Sequence, residues 1–188
     1  MDLHNHKARL ASILYEKSYL AGDFTLTSGR KSDYYFDCRQ SSLHPEGARL
    51  IGDLFFDMLQ DMDVKAVAGM TMGADPLLTA TSLSALGQGR FLPALIVRKT
   101  PKGHGTGRSV EGLANVSQGD AVIMLEDVVS TGGSVIKACQ LVEEAGLRPI
   151  GVFCILNREE GAAETIEAAG YPLRSIFTRN ELLRLADK

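Results

Sequence analysis

Apolar residues along the chain follow two spacings, one helical and one of short uninterrupted runs. Leu10, Ile13 and Leu14 share a face opposite Lys and Arg, which predicts a helix over residues 3–20, closed by Ala21-Gly22-Asp23. Two β-favouring segments follow, Phe24 to Leu26 and Tyr34 to Asp37. They flank the turn-forming Ser28-Gly29-Arg30-Lys31-Ser32 and predict a small hairpin. From Pro45 to Met62 the set Leu50, Ile51, Leu54, Phe55, Met58 and Leu59 fits a 3.6-residue period, and Pro45 suits a first helical turn. Apolar runs at 64–69, 92–97, 121–125, 150–156 and 173–177 then predict buried strands, with helical patterns at 75–86, 134–145 and 162–169 between most of them. Strands joined by crossover helices predict an α/β fold: a central, mostly parallel sheet flanked by helices. Such sheets bind ligands just beyond the carboxyl ends of their strands. A length of 188 residues predicts one domain over 1–188, with a small N-terminal hood from about residues 1–40.

Composition narrows the partners. With 45% hydrophobic and 23% charged residues the chain is of ordinary globular type. Lys plus Arg is 20 against Asp plus Glu 23, a net charge of −3. Nucleic acid and anionic membranes select basic surfaces, so neither is expected as a partner, and any anion site must be local. No apolar run approaches the roughly 18 residues of a membrane span. The opening MDLHNHKARL also lacks a secretory core, so a cytoplasmic location is expected. Cys38, Cys139 and Cys154 form no CxxC pair and read as buried small hydrophobes. His4 and His6 read as solvated residues.

Chemistry concentrates where the run 121–125 ends. Glu126 and Asp127 stand side by side, followed by Val-Val and then Ser130-Thr131-Gly132-Gly133-Ser134, which opens a helical pattern. Small residues let backbone N–H groups approach a phosphate, hydroxyls add donors, and a helix N-terminus adds partial positive charge. The plain structural alternative is that Ser130, Thr131 or Ser134 caps the helix. Paired acids have no capping role; beside a phosphate they suit sugar hydroxyls or metal-bound water, and sugar plus phosphate points to a ribose phosphate. No Walker loop is present, since its Lys is missing. A second cluster, Arg98-Lys99-Thr-Pro-Lys102-Gly103-His104-Gly105-Thr-Gly107-Arg108, gathers positive charge on a glycine-rich loop able to close over a ligand. By itself it would also fit a solvated basic loop.

At these residues the chain resembles the type I phosphoribosyltransferases, whose phosphoribosyl pyrophosphate signature is similar to Met124 to Ser134. The resemblance implies that family's fold, with Ser130, Thr131, Gly132, Gly133 and Ser134 on the 5′-phosphate and Glu126 and Asp127 on the ribose hydroxyls. Arg98, Lys99, Lys102, His104 and Gly105 match, in register, the Arg-Lys-x-x-Lys-x-His-Gly loop of the orotate phosphoribosyltransferases. Phe24-Thr-Leu-Thr-Ser-Gly-Arg-Lys-Ser32 with Tyr35 and Phe36, and Leu156-Asn157-Arg158-Glu159, resemble that family too. In that family the arginine matching Arg158 contacts the orotate carboxylate and ring, a bidentate task suited to a guanidinium. The resemblance also implies that Tyr35 and Phe36 line the substrate site and that Thr71, Met72 and Gly73 offer backbone N–H groups to pyrophosphate. Some members carry Lys in place of Thr27 and Gly73; Arg30 and Lys31 are the cations able to substitute. Magnesium is implied as cofactor, Mg2+ held mainly by substrate and water with no direct protein ligand. A homodimer is implied, with loop 99–108 reaching the neighbouring site.

The implied reaction joins orotate to phosphoribosyl pyrophosphate, giving orotidine 5′-monophosphate and pyrophosphate, in pyrimidine (UMP) biosynthesis. Lys99, Lys102 and His104 would neutralise the leaving pyrophosphate, with Glu126 and Asp127 on the ribose. Other readings are a phosphoribosyltransferase for another base, or a non-catalytic nucleotide-sensing regulator on the same fold. Lys102→Ala is predicted to lower kcat by roughly 10² to 10³ while leaving the thermal unfolding midpoint nearly unchanged; near-normal turnover in that variant removes the loop from the mechanism.

Overall fold

Leu10, Ala11, Ile13 and Leu14 are all at most 1% exposed, and this buried face drives the first helix, α1 (Leu3–Ser18). The computed structural model describes residues 3–25, 31–99 and 109–186. Ala21-Gly22-Asp23 does not close α1. The helix stops at Ser18, whose hydroxyl meets that of Ser41 at 2.6 Å, and Tyr19 begins a strand, β1 (Tyr19–Thr25). That strand pairs antiparallel with β2 (Lys31–Phe36), Tyr19 lying opposite Phe36. The cause is aromatic packing: the Tyr19 ring lies 5.3 Å from Phe36 and 6.1 Å from Tyr34, so it is worth more in the hairpin than in another helical turn. His6, expected in solvent, instead lies 3.7 Å from the buried Asp53.

A short α2 (Arg39–Ser42) leads into α3 (Pro45–Met58), where Pro45 takes the first turn and His44 caps it by accepting from the Gly47 N–H. The helix ends before Met62. Arg90 donates to the carbonyls of Leu59, Met62 and Val64 at 2.8–2.9 Å, so those groups are satisfied without further helix.

The rest alternates: β3 (Ala66–Met70), α4 (Asp75–Gly87), β4 (Ala94–Val97), β5 (Val110–Glu111), β6 (Ala121–Val129), α5 (Gly133–Glu144), β7 (Arg148–Asn157), α6 (Ala162–Ala168), β8 (Leu173–Thr178) and α7 (Arg179–Ala186). The sheet order is β5-β4-β3-β6-β7-β8. Every pair is parallel except β4 with β5. Its central strands are apolar over most of their length because both faces are covered. Val67, Ile123 and Phe153 face the cluster shared with α1, α3 and α4, whereas Ala66, Ala68, Val122, Met124 and Cys154 face the one under α5 and α6. All three cysteines are buried and free.

Gly69 permits the tightest crossing near the sheet edge that matters below. A Cβ there would lie 2.5 Å from the Ala74 Cβ and 2.6 Å from the Leu125 carbonyl oxygen. Gly69→Ala is therefore predicted to lower the unfolding midpoint by roughly 3–10 °C, since overpacking typically costs about 1–3 kcal/mol. An unchanged midpoint in calorimetry would show that β3 and β6 are not locked together here.

Candidate active site

Strand lengths create the site. β3 pairs with β6 only from Ala66↔Val122 to Ala68↔Met124, while β7 stays beside β6 out to Val129↔Asn157. Beyond Leu125, β6 loses its neighbour on one side, and Glu126 and Asp127 stand half-buried at that opening. The loop after β3 turns back over the opening. Gly73 comes so near that a Cβ on it would lie 3.0 Å from Asp127 Oδ2, so the glycine lets bare backbone approach the acids.

In this loop the Thr71–Met72 peptide is cis. Thr71 is engaged internally: its hydroxyl donates to Asp75 at 2.9 Å and its N–H to the Val97 carbonyl at 2.8 Å. The N–H groups of Met72 and Gly73 make no hydrogen bond among the described residues and remain for a ligand.

On the other side lies the turn into α5. No side chain caps this helix, which disposes of the capping alternative for Ser130, Thr131 and Ser134. Gly132 holds the turn at φ +86, a conformation suited to glycine, and a Cβ there would also strike Ile166 at 2.7 Å. Gly133 faces open space. The backbone N–H groups of 131–135 have no acceptor among the described residues. An uncapped helix start with free N–H groups and hydroxyls is an anion cradle.

Burial, and then the adjacent Asp127 carboxylate, push the Glu126 carboxyl well above the usual range; Lys99, at the end of β4, pulls it back. Burial raises the Cys38 and Cys154 thiols, helped by Asp127 and Asp37 at Cys38 and by Glu126 and Asp127 at Cys154, so both stay neutral. Among the described residues no group of three His, Cys, Asp or Glu converges on a metal position. Two adjacent carboxylates are nevertheless hard oxygen donors, and they fit a magnesium ion reached through water or sugar hydroxyls.

Arg158 is no surface arginine. Its N–H donates to the Val129 carbonyl at 3.0 Å, tying it to the end of β6. Its side chain is 4% exposed, 3.0 Å from Glu160 Oε1, and its guanidinium lies 4.8 Å from the Tyr34 ring centre. Tyr35 and Phe36 fall on opposite faces of the hairpin: Phe36 is packed in the core, and Tyr35 rests against Phe24. The hood ring that meets Arg158 is Tyr34, which strand alternation could have placed on the Phe36 face. Arg98 is held at the loop stem, its N–H on the Ser109 carbonyl and its guanidinium 3.6 Å from Glu111. Lys31 is exposed at the start of β2. Arg30, Lys102 and His104 lie outside the described residues. A cavity of about 470 Å³ lined by Ser109, Leu113, Leu141, Glu144 and Leu147 includes none of these groups.

A twin-acid strand end beside two runs of free backbone N–H groups has the chemistry to hold a sugar that carries phosphates. The family described as the phosphoribosyl transferase domain matches residues 40–170. The chain is 44% identical over 180 residues to an orotate phosphoribosyltransferase of Rhodopseudomonas palustris, covering 95% of this chain and 96% of that one. It is 42% identical over 180 residues to one of Aquifex aeolicus, covering 94% and 97%. A solved orotate phosphoribosyltransferase of Mycobacterium tuberculosis in complex with 5-phospho-α-D-ribosyl 1-diphosphate is similar at a TM-score of 0.78. It is 35% identical, with 94% of this chain and 98% of that one covered. The chain belongs to the phosphoribosyl transferase family, in its orotate phosphoribosyltransferase branch.

The raised Glu126 carboxyl has a stability consequence. Between the ordinary unfolded value of about 4.3 and the higher folded value, the folded state binds more protons than the unfolded one, so stability falls as pH rises through that window. Without ligand, Glu126→Gln is predicted to melt higher than the parent by a margin that widens from acid to alkaline pH. A margin independent of pH would contradict the burial of this charge.

Proposed function

We propose that this chain transfers the phosphoribosyl group of phosphoribosyl pyrophosphate to orotate, releasing pyrophosphate and forming orotidine 5′-monophosphate, a step in pyrimidine biosynthesis. One observation carries the reading: Glu126 and Asp127 stand between the free N–H groups of 131–135 and those of Met72 and Gly73. Sugar-hydroxyl acceptors flanked by two anion loops suit a pentose with phosphate at both ends. The relatives' names and the phosphoribosyl pyrophosphate complex support the same substrates.

In this reading the turn 130–134 anchors the 5′-phosphate and the acid pair grips the ribose hydroxyls, whose approach relieves the mutual repulsion of the two carboxylates. Breaking the C1–oxygen bond builds positive charge on the ring and negative charge on the departing pyrophosphate. Met72 and Gly73 N–H groups and the Lys99 ammonium meet that negative charge, with Lys102 and His104 added from the loop; one preorganised donor of this kind is worth roughly 10² to 10³ in rate. A magnesium ion bound with the pyrophosphate would supply further charge neutralisation, and Glu126 and Asp127 would hold its water shell. Arg158 orients orotate so that its ring nitrogen captures C1, and loop closure keeps water from competing.

Residues 1–188 are read as one catalytic domain working as a homodimer, with 99–108 reaching the neighbouring site. Leu83 and Leu86, a turn apart on α4, and Phe91 beyond it are 63%, 62% and 73% exposed, an uncharged surface that a second copy would cover. No helix among the described residues is long and apolar enough to cross a membrane. Both substrates are water-soluble anions, and the cytoplasm is the proposed location.

Pyrophosphate release measured with phosphoribosyl pyrophosphate and orotate, uracil, adenine, hypoxanthine or xanthine tests the assignment. Release with orotate is expected. Exclusive use of a purine would reassign the base, and no release with any base would favour a nucleotide sensor.

A further inference from the structure

Arg158 has a counterpart on the neighbouring strand. β7 and β8 run parallel with Leu156 opposite Phe177 and Asn157 opposite Thr178. The next residue of each strand is an arginine, so Arg158 and Arg179 leave the carboxyl edge of the sheet side by side. Their guanidiniums lie 4.8 and 4.7 Å from the centre of the same ring, Tyr34 of the hood.

Ion pairing around the two arginines is uneven. Glu160 pairs with Arg158 at 3.0 Å. The nearby Glu159 accepts instead from the Asn180 N–H at 3.1 Å, and Arg179 makes no ion pair among the described residues. The Nε of Arg179 is sealed from solvent without a hydrogen-bond acceptor. Two cations gathered on one aromatic ring repel each other, and a buried guanidinium donor without an acceptor is unfavourable until an anion arrives. The carboxyl ends of parallel strands are where such a ligand would sit.

We propose that Arg179 is a second guanidinium of the base subsite and, with Arg158, selects a base that carries a carboxylate over one that does not. This rests on the orotate reading above. Arg179 is then a specificity-determining residue, and Tyr34 is the platform that spaces the two cations.

Steady-state kinetics of the parent, Arg179→Gln and Arg179→Lys test this, with unfolding midpoints measured for each. In Arg179→Gln the KM for orotate is expected to rise about ten-fold, the effect of one lost charge-assisted hydrogen bond. The KM for phosphoribosyl pyrophosphate and the inhibition by uracil, which lacks the carboxylate, should stay within about two-fold of the parent. Arg179→Lys retains the charge over Tyr34 and serves if the glutamine variant does not fold; its KM for orotate should also rise, since lysine lacks the planar fork. An unchanged KM for orotate in a folded variant, or equal shifts in both KM values, would show that Arg179 only braces the hood and would overturn the proposal. A parent enzyme that turns over no orotate would instead remove the functional reading itself, and that result is seen before any variant is made.

Discussion

Two carboxylates on successive residues of a half-buried strand end repel each other and lose hydration, and the rest of the site is arranged around that conflict. β6 outruns β3, which leaves the pair at an opening rather than inside the sheet. Burial and the Asp127 charge keep the Glu126 carboxyl protonated to a higher pH than usual. Hydroxyl donors or a cation arriving at the opening would relieve this repulsion. On both sides the backbone supplies the opposite polarity, with free N–H groups at 131–135 and at Met72 and Gly73. Acceptors in the middle and donors at the flanks match a sugar with phosphates at both ends.

Most of the sheet was legible from apolar runs because both faces of its strands are covered; the five runs read from the sequence became β3, β4, β6, β7 and β8. The acid pair and the Ser/Thr/Gly turn were legible too, since their chemistry lies within one continuous segment. What could not be read depended on distant partners. β5 has two residues, too few for any period, and exists by pairing with β4. The end of α3 is set by Arg90, some thirty positions along the chain, satisfying the carbonyls of 59, 62 and 64. Arg179 carried no motif, and its place beside Arg158 follows from the β7–β8 register alone. The amphipathic α7 did carry a helical pattern, hidden because it follows β8 with no intervening turn residue.

The distribution of charge also fits the proposed anionic substrates to an acidic protein, net −3. Cations are gathered locally: Lys99 near the acids, and Arg158 with Arg179 at the hood. Tyr34 joins the two parts, since its ring packs with Tyr19 and Phe36 on the hood side and meets both guanidiniums on the sheet side. In the proposed reading the hairpin belongs to the site as well as to the fold. Gly73 and Gly133 serve by what they lack, the first allowing backbone onto Asp127 and the second leaving open space at the helix start.

A crystal structure of this chain with phosphoribosyl pyrophosphate bound tests the division of labour most directly. The 5′-phosphate should rest on the backbone N–H groups of 131–135, with the ribose hydroxyls on Glu126 and Asp127 and the pyrophosphate beside Met72 and Gly73. A ligand whose phosphate lies elsewhere, or whose ribose leaves the two carboxylates untouched, would contradict it.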